Sequence, residues 1–405
     1  MRLASMRYPL ILPALLAAGL LLAATAQAQD AAHRLAQEAV IVDTHIDAPS
    51  ELLGRWSELG DEVKDREFDY VKARRGGLDV AFMSIYTSPE QDAAGSAWQT
   101  ANTMIDGVEA LVQRHPDKFA LLTSPRDVER LRQGGRVLLP LGMENGAPLV
   151  DKLANVQFFF DRGVRYITLA HSAANRIADS SYAARKNWNG LSPFGRQVVA
   201  EMNRVGIMVD VSHLADASAL EAIRISKVPV IASHSAFRHF TPGFERNISD
   251  ELAKAVAAKG GVVQVPFGTG FIDPASAADM QAYFTALQAF EQDNATLKAQ
   301  GKPVASEASF DARWNAAHPA RKSTLAQVLD QIDYGVKLIG IDHVGIGSDF
   351  DGVSGKLADG LKSVADYPNL VAGLQARGYT DADIRKILGG NLLRSWAAIE
   401  AGAGK

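Results

Sequence analysis

Short apolar runs rich in β-branched residues alternate with longer amphipathic stretches along most of the chain. Several of these runs are continuously apolar, which is typical of parallel strands covered by helices on both faces. Eight strands that alternate with helices predict an α/β protein, a (β/α)8 barrel of the TIM type, with a doubly wound open sheet as the second choice. The predicted strands span residues 39–43, 80–86, 137–143, 166–170, 206–211, 228–232, 261–267 and 343–347, and amphipathic helices are predicted over residues 98–114, 193–204, 215–225 and 250–259.

The regular spacing is broken between the seventh and eighth strands, which about 75 residues separate. We interpret residues 270–321 as an insertion that contains a helical stretch over residues 278–298. After the carboxyl end of a strand, such a segment would either overhang the mouth of the barrel, where active sites are built, or form an oligomer contact. Near the C-terminus, Thr380 and Asp383 predict the capped start of a short helix that ends at Gly389-Gly390.

The first 28 residues have the pattern of an export signal. Arg2 and Arg7 precede an apolar run over residues 8–24, which is followed by an Ala-x-Ala cleavage pattern that ends at Ala28. A membrane anchor is the alternative, but prolines interrupt the run, and it is shorter than the roughly 20 apolar residues that span a bilayer. We therefore expect a cleaved signal peptide, a single mature domain over residues 29–405, and a periplasmic or secreted protein without a membrane anchor.

The composition narrows the class of protein further. The chain has no cysteine, so an exported form would be held by its core, its metals or its partners rather than by disulfides. The hydrophobic content of 47% and the charged content of 22% are those of a globular domain. A net charge of −4 and the lack of a basic run argue against a nucleic-acid partner.

Ionisable residues recur directly after the apolar runs, at the end of a barrel where catalytic groups are placed. Four of the nine histidines fall at these strand ends, which chance would not produce. The residues concerned are His45 and Asp47 after the first strand, Glu144 after the third, His171 after the fourth, His213 after the fifth, His234 after the sixth and Asp349 after the eighth.

The chemistry of this set points to metal ions. His45 and Asp47 are two positions apart, so in an extended segment both side chains face the same way and can bind one cation. Together with His213, His234 and Glu144 they make five ligands, which is too many for one catalytic zinc and suits two zinc ions that share Glu144. Two such ions can hold a bridging hydroxide and polarise a carbonyl group. Each motif alone is more often a hydrogen-bonded pair or a turn, so the prediction depends on their joint occurrence.

Asp349 has two interpretations. It could be a turn or capping residue, because Gly345, Gly347 and Gly352 surround it. It could also be a general acid/base that delivers a proton to the leaving amine, or a direct metal ligand. Asp351 is interpreted as a support for the same loop. His343 lies at the opposite end of the last strand and is interpreted as structural.

Taken together, the motifs resemble the membrane (renal) dipeptidase family of the amidohydrolase superfamily. The matching segments are VDTHIDAP, GMEN, RYITLAHSAAN, GLSPFGRQVVAEMNRVGIMVDVSH, VIASHSAFR, RNISDE, GIGSDFDGV and ILGGNLLR, from about Ile41 to Arg394. The resemblance implies a two-zinc dipeptidase that cleaves L-Xaa-L-Xaa and possibly L-Xaa-D-Xaa dipeptides, and a homodimer.

The resemblance also implies roles for individual residues. His45 and Asp47 would bind one zinc, His213 and His234 the second, and Glu144 would bridge them. His171 would contact the substrate, and Asp349 would match the family's acid/base. Arg246 would bind the C-terminal carboxylate of the dipeptide, a role that suits the two-pronged guanidinium group. The alternative for Arg246 is a surface ion pair with Glu245 or Asp250.

Two observations limit what the resemblance implies. Residues 145–149 differ from the stretch with Gly and often His that we expect in relatives, so the substrate preference is not transferred. The same metals could serve another amidohydrolase activity, such as an N-acyl-amino-acid deacylase or a lactonase. Many of those enzymes bridge their metals with a carboxylated lysine, and no lysine follows any of the first six strands. A non-catalytic periplasmic binding protein is the third alternative, and it would have no reason to keep the ligands together with Asp349 and Arg246.

Overall fold

A computed structural model of the chain describes residue 27 and residues 29–404. The predicted signal peptide, residues 1–28, lies outside the described part except for Gln27, so its cleavage after Ala28 stays a prediction. Within the described part, no helix combines the length and the apolar character needed to cross a membrane.

A parallel β-sheet forms the centre of the fold. Every strand pairing in the described residues is parallel, and the strands are buried along nearly their whole length, as expected for a parallel sheet covered on both faces. The strands are β1 Ile41–Ile46, β2 Leu78–Tyr86, β3 Phe119–Leu121, β4 Val137–Leu139, β5 Leu141–Glu144, β6 Val164–Thr168, β7 Met208–Asp210, β8 Val230–Ala232, β9 Val262–Val265 and β10 Val344–Ile346.

The sheet curls into a barrel in the order β1, β2, β5, β6, β7, β8, β9, β10. The segment after β10 returns to β1, where Ile46 and Phe350 form a parallel bridge and the Asp349 amide donates to the His45 carbonyl at 3.1 Å. The predicted (β/α)8 architecture is thereby confirmed, and the carboxyl ends of its strands meet at one mouth of the barrel.

The predicted third strand is not continuous. Pro140, which has no N–H to donate, separates β4 from β5, and only β5 belongs to the barrel. The short strand β3 was not predicted; it pairs with β4 beside the barrel. Three residues are too few to give a pattern in the sequence.

Helices surround the sheet, and several have clear sequence signals. The helix over residues 193–205 begins after Ser192, whose side chain accepts from the Gly195 amide at 2.9 Å, and ends before Gly206 at φ 90°. The helices are α1 29–38, α2 Ala48–Gly54, α3 Tyr70–Gly76, α4 Pro89–Ala93, α5 Ala97–Arg114, α6 Val128–Leu131, α7 Ala154–Asp161, α8 Pro193–Val205, α9 Asp216–Ile225, α10 Asp250–Ala258, α11 Thr269–Ile272, α12 Pro274–Ala299, α13 Glu307–Ala317, α14 Leu325–Ile339, α15 Tyr367–Ala376, α16 Asp381–Arg385 and α17 Asn391–Gly402.

The inserted segment lies where the spacing of the strands predicts it, between β9 and β10. It contains α11, the 26-residue α12 and α13, before α14 leads into the last strand. Thr380 and Asp383 form the expected capping box at the start of α16. The helical path from Thr380 is interrupted at Gly389, whose backbone is non-helical at φ 179° and ψ −27°, as the glycine pair predicts. A wide helical turn, Lys386–Gly390, leads to this kink, and α17 begins directly after it. A side chain at Gly389 would overlap Val40 and Val42.

The interior of the barrel is a packed core below the mouth. Phe82, Tyr166 and Trp396 are fully buried there, with the Phe82 ring 5.5 Å from Tyr166 and 5.4 Å from Trp396. Trp396 comes from α17, so the C-terminal helix closes the amino-terminal end of the barrel. A second, larger core lies between the strands and the outer helices. The mouth at the opposite end is therefore the open face.

Candidate metal centre

The ionisable residues that the sequence places after the strands meet at the mouth of the barrel. His45 is within β1 rather than after it, and the others lie at or shortly after the carboxyl ends of their strands. Because the strands are parallel, these ends form one ring. The residues are His45 and Asp47 from β1, Glu144 from β5, His171 after β6, His213 after β7, His234 after β8 and Asp349 after β10.

Glu144 lies at the centre of the imidazoles. Its Oε1 atom is 3.1 Å from His213 Nε2, 3.3 Å from His234 Nε2 and 3.6 Å from His171 Nε2. Its Oε2 atom is 3.4 Å from His45 Nε2. One oxygen of this buried carboxylate therefore faces three imidazoles and the other faces His45, an arrangement that would allow Glu144 to bridge two cations.

Hydrogen bonds behind two of the imidazoles fix their orientation. His45 Nδ1 is 2.7 Å from the Tyr166 hydroxyl, and His234 Nδ1 is 2.8 Å from Ser233 Oγ, which donates to Asp210 at 2.6 Å. If each Nδ1 carries the proton, the Nε2 lone pairs face the centre of the site. Metal-binding histidines are held in the same way.

Charge and burial set the protonation of the site. Burial, followed by the charges of His45 and Arg246, holds the pKa of His234 well below 6.5, and burial with Arg246 does the same for His213. Burial would raise the pKa of Glu144, but the neighbouring His45 and the other imidazoles hold it well below 4.5. The protonation of His45 differs: burial opposes its charge, but Tyr166, Glu144 and Asp47 raise its pKa well above 6.5. Two neutral imidazoles and an ionised carboxylate are electron-pair donors for a cation, and a cation at His45 would replace the proton of that residue.

Two residues of the ring have unusual backbone conformations. His213 has φ 67° and Asp349 has φ 66°, both in the left-handed region that non-glycine residues rarely adopt. Such conformations cost on the order of 1 kcal/mol each and persist where the surrounding structure requires them. Here they turn both side chains toward the centre of the ring.

The donor set fits metal ions. Ligand atoms within 4.8 Å of one another form three groups: His45, Glu144 and His234; Glu144, His171 and His213; and His45, Asp47 and Asp349. His45 Nε2 is buried without a hydrogen-bond partner in the described residues. The Nε2 atoms of His213 and His234 are 2.8 Å apart, so a hydrogen bond there needs a proton that a cation would replace. The histidines and carboxylates are ligands that zinc accepts.

Asp349 lies on the side of the ring formed by β1. It belongs to the same group as His45 and Asp47, and it is 7% exposed. Burial and then the negative charge of Asp47 raise the pKa of Asp349 well above 3.8. A carboxyl group that holds its proton beside a metal site can donate it, which suits a general acid.

Arg246 is buried beside the histidines rather than on the surface. It is 2% exposed, and its guanidinium donates to Ser235 Oγ at 3.2 Å and to the His234 carbonyl at 3.0 Å, with Nη2 2.9 Å from His213 Nε2. No carboxylate of the described residues forms an ion pair with it, so the alternative of an ion pair with Glu245 or Asp250 is wrong. A buried cation without a counter-ion is costly, and an anionic ligand would offset that cost.

The remaining predicted residues have structural contacts. His343 Nδ1 is 2.7 Å from the Gly261 carbonyl, at the end of the barrel away from the site. Asp351 accepts from the Glu67 amide at 2.8 Å and so holds the loop after β10, as expected. Asn145, where relatives were expected to carry glycine, has φ 75° and donates to the Thr87 carbonyl at 2.9 Å.

A cavity of about 550 Å³ opens above the ring. Glu144, His171, His213, His234, Asp47 and Asp349 line its floor. Sequence reasoning missed Tyr86, whose ring is 4.6 Å from His171, and Tyr182, whose ring is 6.1 Å from His213. Tyr86 is the last residue of β2, and no site residue was predicted at the end of this strand.

Comparisons with known proteins agree on one family. The family model described as membrane dipeptidase (peptidase family M19) matches residues 29–405. Dipeptidase verJ of Clonostachys rogersoniana is 29% identical, and the match covers 91% of this chain and 86% of that protein. The uncharacterized dipeptidase C965.12 of Schizosaccharomyces pombe is also 29% identical, and the match covers 92% of this chain and 83% of that protein. The crystal structure of the probable dipeptidase PvdM from Pseudomonas aeruginosa is similar with a TM-score of 0.78 and 27% identity, and it covers 93% of this chain and 99% of that one.

The fold, the ring of candidate metal ligands and the match of the family model across nearly the whole described chain lead to one assignment. The chain belongs to the membrane dipeptidase family, peptidase family M19, a family of metallopeptidases.

Proposed function

We propose that the protein is a dipeptidase that depends on two zinc ions. The observation that carries the proposal is the position of Glu144, whose Oε2 atom faces His45 and whose Oε1 atom faces His213 and His234. His45 and Asp47 would hold one ion, His213 and His234 the other, and Glu144 both. When bound, the ions would polarise the scissile carbonyl and lower the pKa of the attacking water.

The residues above the metal ligands would orient the substrate and move the proton. Asp349, whose pKa is raised by burial, would hold a proton on its carboxyl group and deliver it to the nitrogen of the departing amine. His171 lines the cavity, and its Nε2 is 3.6 Å from Glu144. There it would hydrogen-bond to the carbonyl oxygen of the cleaved bond and stabilise the charge that develops on it.

Arg246 would select dipeptides over longer peptides. Its guanidinium is buried beside His213 and lacks a carboxylate partner within the described chain. A free carboxylate one residue beyond the scissile bond would supply that partner, and a tripeptide would place it too far away. A deacylase or a lactonase would make no use of a cation at this position unless its substrate carried the same carboxylate.

The test is an assay of the purified mature protein on dipeptides and tripeptides, with and without a chelator. We expect hydrolysis of L,L-dipeptides, loss of activity with the chelator, recovery with added zinc, and no hydrolysis of the tripeptides. Arg246→Lys, which keeps the charge but not the two-pronged geometry, should raise KM more than it lowers kcat. Equal rates on dipeptides and tripeptides would contradict the role of Arg246, and chelator-resistant activity would contradict the role of the metals.

We also propose that the protein is exported and acts as a homodimer. The family match begins at residue 29, directly after the expected cleavage position, which is consistent with a mature domain over residues 29–405. N-terminal sequencing of the protein from a periplasmic extract should give Gln29 as the first residue, and light scattering should give twice the mass of the mature chain.

A further inference from the structure

Apolar and aromatic side chains other than the metal-site residues form one part of the cavity wall, beside polar residues such as Asp279, Asp311 and Arg321. Most of them come from the inserted segment, which therefore overhangs the mouth of the barrel. We call this surface the aromatic wall; it consists of Tyr182, Phe271, Met280, Tyr283, Phe284 and Trp314, all of which line the cavity.

The aromatic wall is continuous and begins beside the metal site. The Tyr182 ring lies 6.1 Å from the His213 ring and 4.0 Å from the Phe284 ring, and the Tyr182 hydroxyl contacts Met280 Sδ at 3.0 Å. Further from the metals, the Tyr283 ring packs 5.6 Å from Trp314. These contacts fix the side chains in place, so the wall is preformed rather than assembled around a ligand.

The wall adjoins the site proposed for the C-terminal end of the substrate. The Phe271 ring lies 4.9 Å from the guanidinium of Arg246, and Tyr182 is next to His213, which Arg246 contacts. Asp47 and Asp349 lie on the side of the ring that β1 forms. A dipeptide with its carboxylate on Arg246 therefore has its C-terminal side chain directed at the wall and its N-terminal residue on the other side of the metals.

We propose that the enzyme prefers dipeptides whose C-terminal residue is large and apolar, above all aromatic. This inference rests on the proposed dipeptidase function and on Arg246 as the carboxylate partner. The cavity of about 550 Å³ is much larger than two small residues need, and small side chains would leave the wall in contact with water. An aromatic side chain would fill this space and stack on Phe284 and Tyr182.

The experiment compares kcat/KM for Ala-Ala, Ala-Phe and Phe-Ala. We expect the wild-type enzyme to hydrolyse Ala-Phe at least about tenfold more efficiently than either of the other two, as differences in apolar contact in a pocket can produce. Phe284→Ala should lower the ratio of Ala-Phe to Ala-Ala by about tenfold or more. Trp314→Ala, at a partly exposed position, should lower the same ratio by a smaller factor. This variant replaces Phe284→Ala in the test if Phe284→Ala does not fold.

Phe290→Ala is the matched control. Phe290 lies on the same helix, α12, but its ring stacks 5.0 Å from Phe310, and it does not line the cavity. Its removal should leave the ratio unchanged. The inference is overturned if Phe-Ala is preferred, if Ala-Phe and Ala-Ala are equal, or if Phe290→Ala shifts the ratio as much as Phe284→Ala. Failure to hydrolyse any of the three dipeptides would instead overturn the proposed function.

Discussion

The Nδ1 atom of His45 lies 2.7 Å from the hydroxyl oxygen of Tyr166, at the boundary between the metal site and the interior of the barrel. Tyr166 is fully buried against Phe82, so its hydroxyl cannot move away from the histidine. With the proton on Nδ1, the imidazole donates to Tyr166 and directs Nε2 at the metals. The rigid core of the barrel thereby sets the orientation of a proposed ligand.

Tyr166→Phe should weaken metal binding without unfolding the protein. The substitution removes only the hydroxyl, and loss of an outer partner of a metal-binding histidine typically costs 10- to 100-fold in affinity. Competition with a chelator measures the change. Tyr379→Phe is the control, because its hydroxyl binds Asp333 at 2.8 Å, in a pair remote from the ring of ligands. Unchanged affinity in Tyr166→Phe would show that the hydroxyl does not orient His45.

Asp349→Asn should keep both metals and lose most of the activity. Asparagine preserves the size of the side chain but cannot deliver a proton, and general acid catalysis typically contributes 10²- to 10⁴-fold to a rate. Metal analysis of the purified variant together with kcat on a dipeptide gives the answer. If the variant instead loses one metal ion, Asp349 is a ligand, and the alternative left open by the sequence is the correct one.

Gly352→Ala should lower activity although glycine carries no functional group. A Cβ atom at this position would overlap the carboxylate oxygens of Asp47 and Asp349 and would push both out of place. We expect kcat to fall by about tenfold or more, since small displacements of catalytic groups have large effects. Gly107→Ala in α5 is the control, because nothing lies within 4 Å of its new methyl group. A fully active Gly352→Ala variant would contradict the placement of the two carboxylates.

The loop after β10 should make stability depend on pH. Burial raises the pKa of Glu67 from 4.5 to about 7, with a smaller contribution from the charge of Asp351 and against the effect of the hydrogen bond from the Asp351 amide. Because the folded-state value is above the unfolded one, the folded protein binds this proton more tightly. The protonated Glu67 therefore stabilises the folded state fully below pH 4.5. This contribution to the free energy of unfolding decreases between pH 4.5 and 7 and is lost above pH 7.

Glu67→Gln removes this dependence and keeps an acceptor for the Asp351 amide. Relative to the wild type, the variant should gain up to about 3 kcal/mol of unfolding free energy between pH 4.5 and 8. Urea unfolding at several pH values measures the difference. Glu251→Gln, at an exposed position in the first turn of α10, controls for the loss of one charge. A constant difference between Glu67→Gln and the wild type across this range would contradict the raised pKa.

The sequence predicts the parts of the fold that have strong local patterns. Apolar runs long enough to be read as strands mark the barrel, and ionisable residues at their ends, such as His213 and His234, mark the mouth. The pattern does not detect β3, which is three residues long, or α17, which begins directly after the kink at Gly389. These features are determined by tertiary contacts rather than by local sequence.

The residues that form hydrogen bonds with the proposed metal ligands cannot be recognised in the sequence either. Tyr166 is part of a largely apolar strand, and nothing in the sequence indicates that its hydroxyl contacts His45. The two residues are 121 positions apart, and only the closure of the barrel brings them together. The aromatic side chains of α12 and α13 give no periodic pattern that would assign them to a cavity. Residues after a strand end could be predicted as functional, whereas residues brought in from the insertion could not.

The most direct test of the account is an anomalous diffraction experiment at the zinc absorption edge on crystals grown with zinc. We predict two peaks about 3.5–4 Å apart, one on each side of the Glu144 carboxylate, with His45 and Asp47 at one and His213 and His234 at the other. A single peak, or two peaks of which only one is in contact with Glu144, would contradict the claim that this residue bridges a pair of metal ions.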